Sequence, residues 1–179
     1  MTTFLLVPGG GCDPSYWRFL VRELAVRGHR GIAIDLPCDD DLADLTTYAN
    51  AVAAQHRGDG ERPVVVAHSF GGFTAALACP LVDAAELIYV AAMVPRPGEC
   101  PGDWWSATGC VAAQREAAAV GGYDIEDMVA LYYNGVDGAV IEAAGRGHHR
   151  GNAQRPVGHP GPLLARADRQ DGRLRRIDH

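Results

Sequence analysis

Four short, almost wholly apolar runs constrain this chain more than any other feature. They are Phe4-Leu5-Leu6-Val7, Gly31-Ile32-Ala33-Ile34-Asp35-Leu36, Pro63-Val64-Val65-Val66-Ala67 and Glu86-Leu87-Ile88-Tyr89-Val90-Ala91-Ala92. Runs of this length without polar alternation read as strands covered on both faces. The segments between them read as helices. Residues 15–27 place Trp17, Leu20, Val21 and Leu24 on one face, with Asp13 or Ser15 as the cap, Pro14 in the first turn and Gly28 at the end. A second helix is expected over residues 42–56, with Asp39-Asp40-Asp41 at its positive end. A third, made of small residues, is expected over 71–79 and stopped by Pro80. Strands alternating with helices predict an α/β fold with a mostly parallel sheet and helices on both faces.

After Pro95-Arg96-Pro97-Gly98 the rhythm changes. Trp104-Trp105 is followed by helical stretches near 110–120, 124–133 and 136–144. The expected organisation is a core at 1–95, a partial helical cap at 96–144 and a tail at 145–179. The two tryptophans are read as packing for the cap, ahead of a ligand platform. The tail is set apart by composition. The chain has no lysine, and eight of its 16 arginines lie in the last 35 residues. Against three acids they give that segment a net charge of +5, whereas residues 1–144 carry −11. The tail's large apolar residues are Val157, Leu163, Leu164, Leu174 and Ile177, too few to offset the entropy of ordering it, so it is expected to be disordered.

The stretch that carries chemistry is Ala67-His68-Ser69-Phe70-Gly71-Gly72, where the third run turns directly into a helix. Such a turn is sharp. It needs small residues two places either side of its centre, here Ala67 and Gly71. It also holds the central serine in a strained conformation with its hydroxyl exposed. Ser69 is therefore the candidate nucleophile. The helix behind it aims amide groups and a positive dipole at the same place. The loop Pro8-Gly9-Gly10-Gly11 follows the first run, and the amides of Gly10 and Phe70 are the candidate oxyanion donors. The loop does not make a phosphate-cradling motif, because no Gly-Lys-Ser/Thr follows. His68 precedes Ser69 and is expected to pack or line the site, not to act as base.

These segments resemble the α/β-hydrolase superfamily, within it the small esterase and hydroxynitrile-lyase-like branch. The likeness rests on Phe4-Leu5-Leu6-Val7-Pro8-Gly9-Gly10, Trp17, Gly28-His29-Arg30, Ile34-Asp35-Leu36-Pro37, the serine turn and Tyr89-Val90-Ala91-Ala92-Met93-Val94-Pro95. Ala67 stands where glycine is more usual, and Pro8 where many relatives carry histidine. The resemblance implies attack by Ser69 on a carbonyl centre, with a histidine as base and an acid to orient it. It also implies a longer core. The late strands are missing, and no triad acid or base is evident. Pro162-Leu163-Leu164-Ala165-Arg166-Ala167-Asp168 is the nearest approach to a late strand, with Asp168 as a weak candidate acid and the terminal His179 as a weaker candidate base. An Ala-, Gly- and Arg-rich chain without lysine suggests a GC-rich gene read out of frame beyond about residue 144. A truncated or frameshifted member of the family is the expectation.

The expected function is a serine hydrolase, esterase-like on a small apolar ester, and inactive as written if no partner for Ser69 is supplied. The alternatives are a catalytically dead small-molecule binder or a lyase of the same fold. No cofactor and no metal are expected; His148, His149 and His159 lack the strand or helix context of a metal site. Five scattered cysteines (12, 38, 79, 100 and 110) and no export signal suggest reduced, buried thiols in a cytoplasmic protein. No run is long enough to span a membrane, and an acidic chain is not an expected nucleic-acid partner. Self-association through an exposed sheet edge at the fourth strand is expected.

Overall fold

The computed structural model describes residues 1–10, 14–40, 42–56 and 60–147. Its centre is a parallel sheet of four strands, β1 (Thr3–Val7), β2 (Arg30–Ala33), β3 (Val64–His68) and β4 (Glu86–Val90), in the order β2-β1-β3-β4. Chain order and spatial order differ because β3 pairs with the other edge of β1 and not with β2; each parallel connection crosses over through a helix. Register follows the apolar runs: Leu5 lies between Ile32 and Val65, and Ala67 pairs with Tyr89.

Both faces of the sheet are covered. A 3-10 turn (Pro14–Trp17) leads into α1 (Arg18–Val26), and Trp17, Leu20, Val21 and Leu24 pack on Leu6, Val64 and Val66. The opposite face, with Leu5, Val7, Val65 and Ala67, packs against Tyr48, Ala49 and Val52 of α2 (Leu45–Gln55) and Ala75 and Ala78 of α3 (Gly71–Ala78). Leu5, Leu6, Val7, Val52 and Val65 are fully buried, each contributing about 1.5–3 kcal/mol relative to exposure. At β4 the cover is one-sided. Leu87 and Tyr89 join the α2/α3 core, while Ile88 (41% exposed) and Val90 (44%) face outward on the other side.

Several element ends differ from those read off the sequence, each for a local reason. β2 stops at Ala33 because the Gln55 side chain takes over the Asp35 backbone. Gln55 Oε1 accepts from the Asp35 amide (2.9 Å), and its Nε2 donates to the Asp35 carbonyl (2.7 Å). α2 begins at Leu45, capped by Asp44, whose carboxylate accepts from the Thr47 amide at 2.7 Å. Asp40 is spent earlier, accepting from the Leu42 amide in a turn of its own. α1 has no side-chain cap; Trp17 precedes it, and Asp13 lies outside the described residues. β4 ends at Val90, because Ala91 turns to φ +44°.

Helices follow the sheet: α4 (Pro101–Thr108), α5 (Cys110–Gly121), α6 (Met128–Tyr132) and α7 (Gly138–Gly147). α4 has no counterpart in the sequence reading. It is opened by Cys100, whose sulfur accepts from the Asp103 amide, and by Pro101 in the first turn. α6 is shorter than expected. The boundary expected at Gly145 falls inside α7, and residues 148–179 lie outside the described set. Cys38, Cys79, Cys100 and Cys110 carry reduced thiols and are half-buried, where burial was expected. Burial pushes the Cys79 thiol up to about 11. Among the described residues no helix is long and apolar enough to cross a membrane.

Candidate active site

The site stands where β1 and β3 end. β3 delivers His68 to the sheet's C-terminal edge, and the chain enters α3 two residues later. Ser69 makes that turn at φ +52°. An L-residue with a Cβ pays roughly 1–2 kcal/mol for this backbone region. Two amides hold the turn from outside: Gly72 N–H and Met93 N–H both donate to the Ser69 carbonyl, at 3.1 and 3.0 Å. Ser69 itself is half-buried.

Small residues let three segments meet here. A Cβ on Gly71 would stand 2.4 Å from the Pro8 carbonyl oxygen, so α3 can start against the end of β1 only with glycine at that position. A Cβ on Gly72 would stand 1.9 Å from the Met93 carbonyl oxygen. Gly9 is the third. Its absent Cβ would lie 3.0 Å from Ser69 Cβ, 3.4 Å from Ser69 Oγ and 3.3 Å from His68 Nδ1. The glycine loop after β1 therefore lies directly against the serine. The Cβ position of Gly10 is 3.7 Å from Phe70 Cβ, which brings the two expected oxyanion residues side by side.

Two aromatic groups flank Ser69. On one side the His68 ring stacks on Tyr16 (centroids 4.7 Å, 24° between planes) and meets the edge of Trp17 at 6.3 Å. Burial lowers the His68 pKa, favouring the neutral ring, and its Nδ1 is buried with no hydrogen-bond partner among the described residues. On the other side the Phe70 ring packs on Phe73 (5.5 Å) and stacks on Trp105 of α4 (6.2 Å, 29°). Trp104 meets Trp105 edge-on at 5.7 Å.

Ser69, Phe70 and Gly10 are thus brought together. Of the other histidines described, His29 accepts from the Thr2 amide at the opposite edge of the sheet, and His56 closes α2. Asp168, His148, His149, His159 and His179 lie outside the described residues. Two contacts lie outside the expected set: Gly9 against the serine, and Met93 as its backbone anchor. Gly9 was findable as a glycine beside the expected oxyanion loop. Nothing local marks Met93, because its role comes from a main-chain amide.

The sequence matches the model of the alpha/beta hydrolase family over residues 4–176. It is 33% identical over 109 residues to the probable esterase PIR7A of Oryza sativa subsp. indica, a stretch that covers 54% of this chain and 41% of the relative. Among solved structures it is similar to polyneuridine aldehyde esterase at 26% identity and a TM-score of 0.53, over 62% of this chain and 48% of that one. It is also similar to a variant of the pyrethroid hydrolase PytH at 27% identity and a TM-score of 0.51, over 56% and 44% of the two chains. The chain thus spans less than half the length of each of these proteins.

Proposed function

The chain belongs to the alpha/beta hydrolase family, and on that premise we propose that it carries the nucleophile half of an esterase, with Ser69 as the attacking residue and a small apolar ester as substrate. The observation that supports this best is the φ of +52° at Ser69, held by the Gly72 and Met93 amides. A strained non-glycine residue at a strand-to-helix turn is what an exposed, oriented hydroxyl requires. The esterases among the similar proteins favour ester hydrolysis over a binding role or lyase chemistry.

In this reading Ser69 Oγ attacks the ester carbonyl carbon, and its proton passes to a general base. The carbonyl oxygen becomes an alkoxide held by the amides of Gly10 and Phe70. Such donors typically stabilise the transition state by about 3 kcal/mol each. The intermediate collapses by breaking the bond to the alkoxide, which takes the proton from the base and leaves as the alcohol; water then hydrolyses the acyl-serine, releasing the acid and restoring the Ser69 hydroxyl. The start of α3 adds its positive dipole end to the alkoxide. His68 is not the base in this scheme: it precedes the nucleophile and its ring is stacked on Tyr16. No described residue is assigned as base or as its orienting acid.

A fluorophosphonate probe tests the reading, because it reacts with an activated serine of any substrate preference. The expected result is a single adduct mapped to Ser69 by mass spectrometry and lost in Ser69→Ala, together with p-nitrophenyl acetate turnover that falls in the same variant. A folded protein with neither adduct nor turnover above Ser69→Ala would overturn it.

A further inference from the structure

We propose that Trp105 is a positioning residue for the oxyanion side of the site, setting the Phe70 backbone from the helical segment above the sheet. The inference rests on the reading of Ser69 and Phe70 given above, and goes beyond it by assigning a residue from α4 to the machinery.

Phe70 sits between the strained Ser69 and the first residue of α3, and its own φ of −57° is helical. Its amide belongs to the first turn of a helix, where amides have no intrahelical partner and are free to face a ligand. That amide shares its planar peptide unit with the Ser69 carbonyl, which the Gly72 and Met93 amides hold, and the Phe70 side chain is packed in addition by three neighbours. Gly10 approaches its Cβ, the Phe73 ring lies beside its ring, and the Trp105 indole stacks over it. Phe73 is a buried α3 residue and Gly10 lies in the loop directly after β1, so both are carried by elements of the sheet core. Trp105 comes from another part of the chain, so its contact is the one that a movement of α4 would make or break.

α4 is built to hold that contact. Pro101 in its first turn is fully buried. Cys100 caps it, its sulfur accepting from the Asp103 amide (3.4 Å) and its thiol donating to the Asp103 carboxylate (3.1 Å). The preceding strand exit is locked to the turn by the Met93 amide on the Ser69 carbonyl. α4 therefore has a fixed start, and Trp105 stands about one turn further on. Trp104 braces its indole edge-on. The segment from Met93 to Trp105 thus meets the serine turn at two places, Met93 through its main-chain amide on the Ser69 carbonyl and Trp105 through its side chain on the Phe70 ring.

The test reads amide hydrogen exchange in the full chain. The reporting amides are Gly72 and Phe73, which donate to the carbonyls of Ser69 and Phe70. In Trp105→Ala their exchange should speed by roughly two- to tenfold, the fold-change corresponding to an aromatic pair. Amides of β1 should keep their rates. Trp105→Phe, which restores a stacking ring, should return Gly72 and Phe73 to near the parent rate. Trp105→Leu keeps apolar bulk without the ring. It should behave as Trp105→Ala does, and it carries the test if the alanine variant does not fold. Unchanged exchange at Gly72 and Phe73 in both ring-less variants would overturn the proposal. So would acceleration that spreads equally to β1, or that Trp105→Phe fails to reverse. Fluorophosphonate labelling of the same proteins separates the two ideas. Absence of labelling in the parent chain counts against Ser69 as nucleophile, while the exchange pattern decides on Trp105 by itself.

Discussion

The Met93 amide donates to the Ser69 carbonyl oxygen at 3.0 Å. This bond joins the exit of β4 to the turn after β3, across two segments that share no local sequence signal. It depends on Ala91 turning to φ +44°, which swings the chain back from the sheet edge toward Ser69. It also depends on Gly72, the only residue small enough to let Met93 come so close. The Ser69 backbone is thereby fixed from the neighbouring strand, independently of its side chain.

Gly72→Ala should be among the most damaging single methyl additions in this protein. The new Cβ would overlap the Met93 carbonyl, a backbone atom that cannot rotate away. We expect a loss of about 3 kcal/mol or more, near the upper end for overpacking. Gly10→Ala meets Phe70 only at ordinary contact distance and should stay within about 0.5 kcal/mol. Urea unfolding of the two variants side by side checks the contrast; equal midpoints would show that the Gly72–Met93 contact can relax.

Ser69→Gly should stabilise the fold while removing the hydroxyl. Glycine reaches φ +52° without the steric cost that serine bears there. A gain of up to about 1 kcal/mol is expected after the added entropy of the unfolded chain is subtracted. Thermal unfolding of Ser69→Gly against Ser69→Ala reads this directly, since alanine keeps the strain. A glycine variant no more stable than the alanine variant would mean that the turn is unstrained.

Burial lowers the His68 pKa, so the unfolded chain binds its proton more readily than the folded one. Stability from this residue is present above the unfolded value near 6.5 and is lost as the pH falls through the lower folded value. His68→Phe keeps a ring to stack on Tyr16 and removes both the titration and the unpartnered Nδ1. Its urea midpoint should fall less than the parent's between about pH 7 and pH 5. Parallel curves for the two proteins over that range would exclude His68 as a contributor.

Asp44→Ala should cost about 1 kcal/mol, as the loss of a helix cap does. The carboxylate accepts from both the amide and the hydroxyl of Thr47, at 2.7 and 2.9 Å. Asp39→Ala, five residues upstream and exposed, should change stability by less than about 0.5 kcal/mol. Chemical denaturation of both separates a specific cap from a general effect of acidic charge near α2.

The strands and the serine turn were legible in the sequence because their signals are local. An apolar run such as Val64-Val65-Val66-Ala67 can be satisfied only where both faces are covered, and Gly71 just beyond Ser69 marks a sharp turn without reference to anything distant. Ends were read less well. β2 was expected to reach Leu36 but gives way at Asp35 to the side chain of Gln55, twenty residues on. α4 is not legible in the sequence because Cys100 is an unusual cap and Gly102 and Ser106 dilute the helical pattern.

By itself, then, the sequence determined a parallel α/β sheet, the place of Ser69 at the end of its third strand, and the glycine loop opposite. Periodicity and turn chemistry act over a few residues, and that is the range over which those features form. Tertiary structure decided which residues the serine meets: Gly9 against its Oγ, Met93 on its carbonyl, Tyr16 and Trp105 on the rings of its two neighbours. Those partners lie from about twenty to sixty residues away along the chain. They are chosen by which strand ends and helices the sheet order brings to one edge, and no local pattern of side chains encodes that.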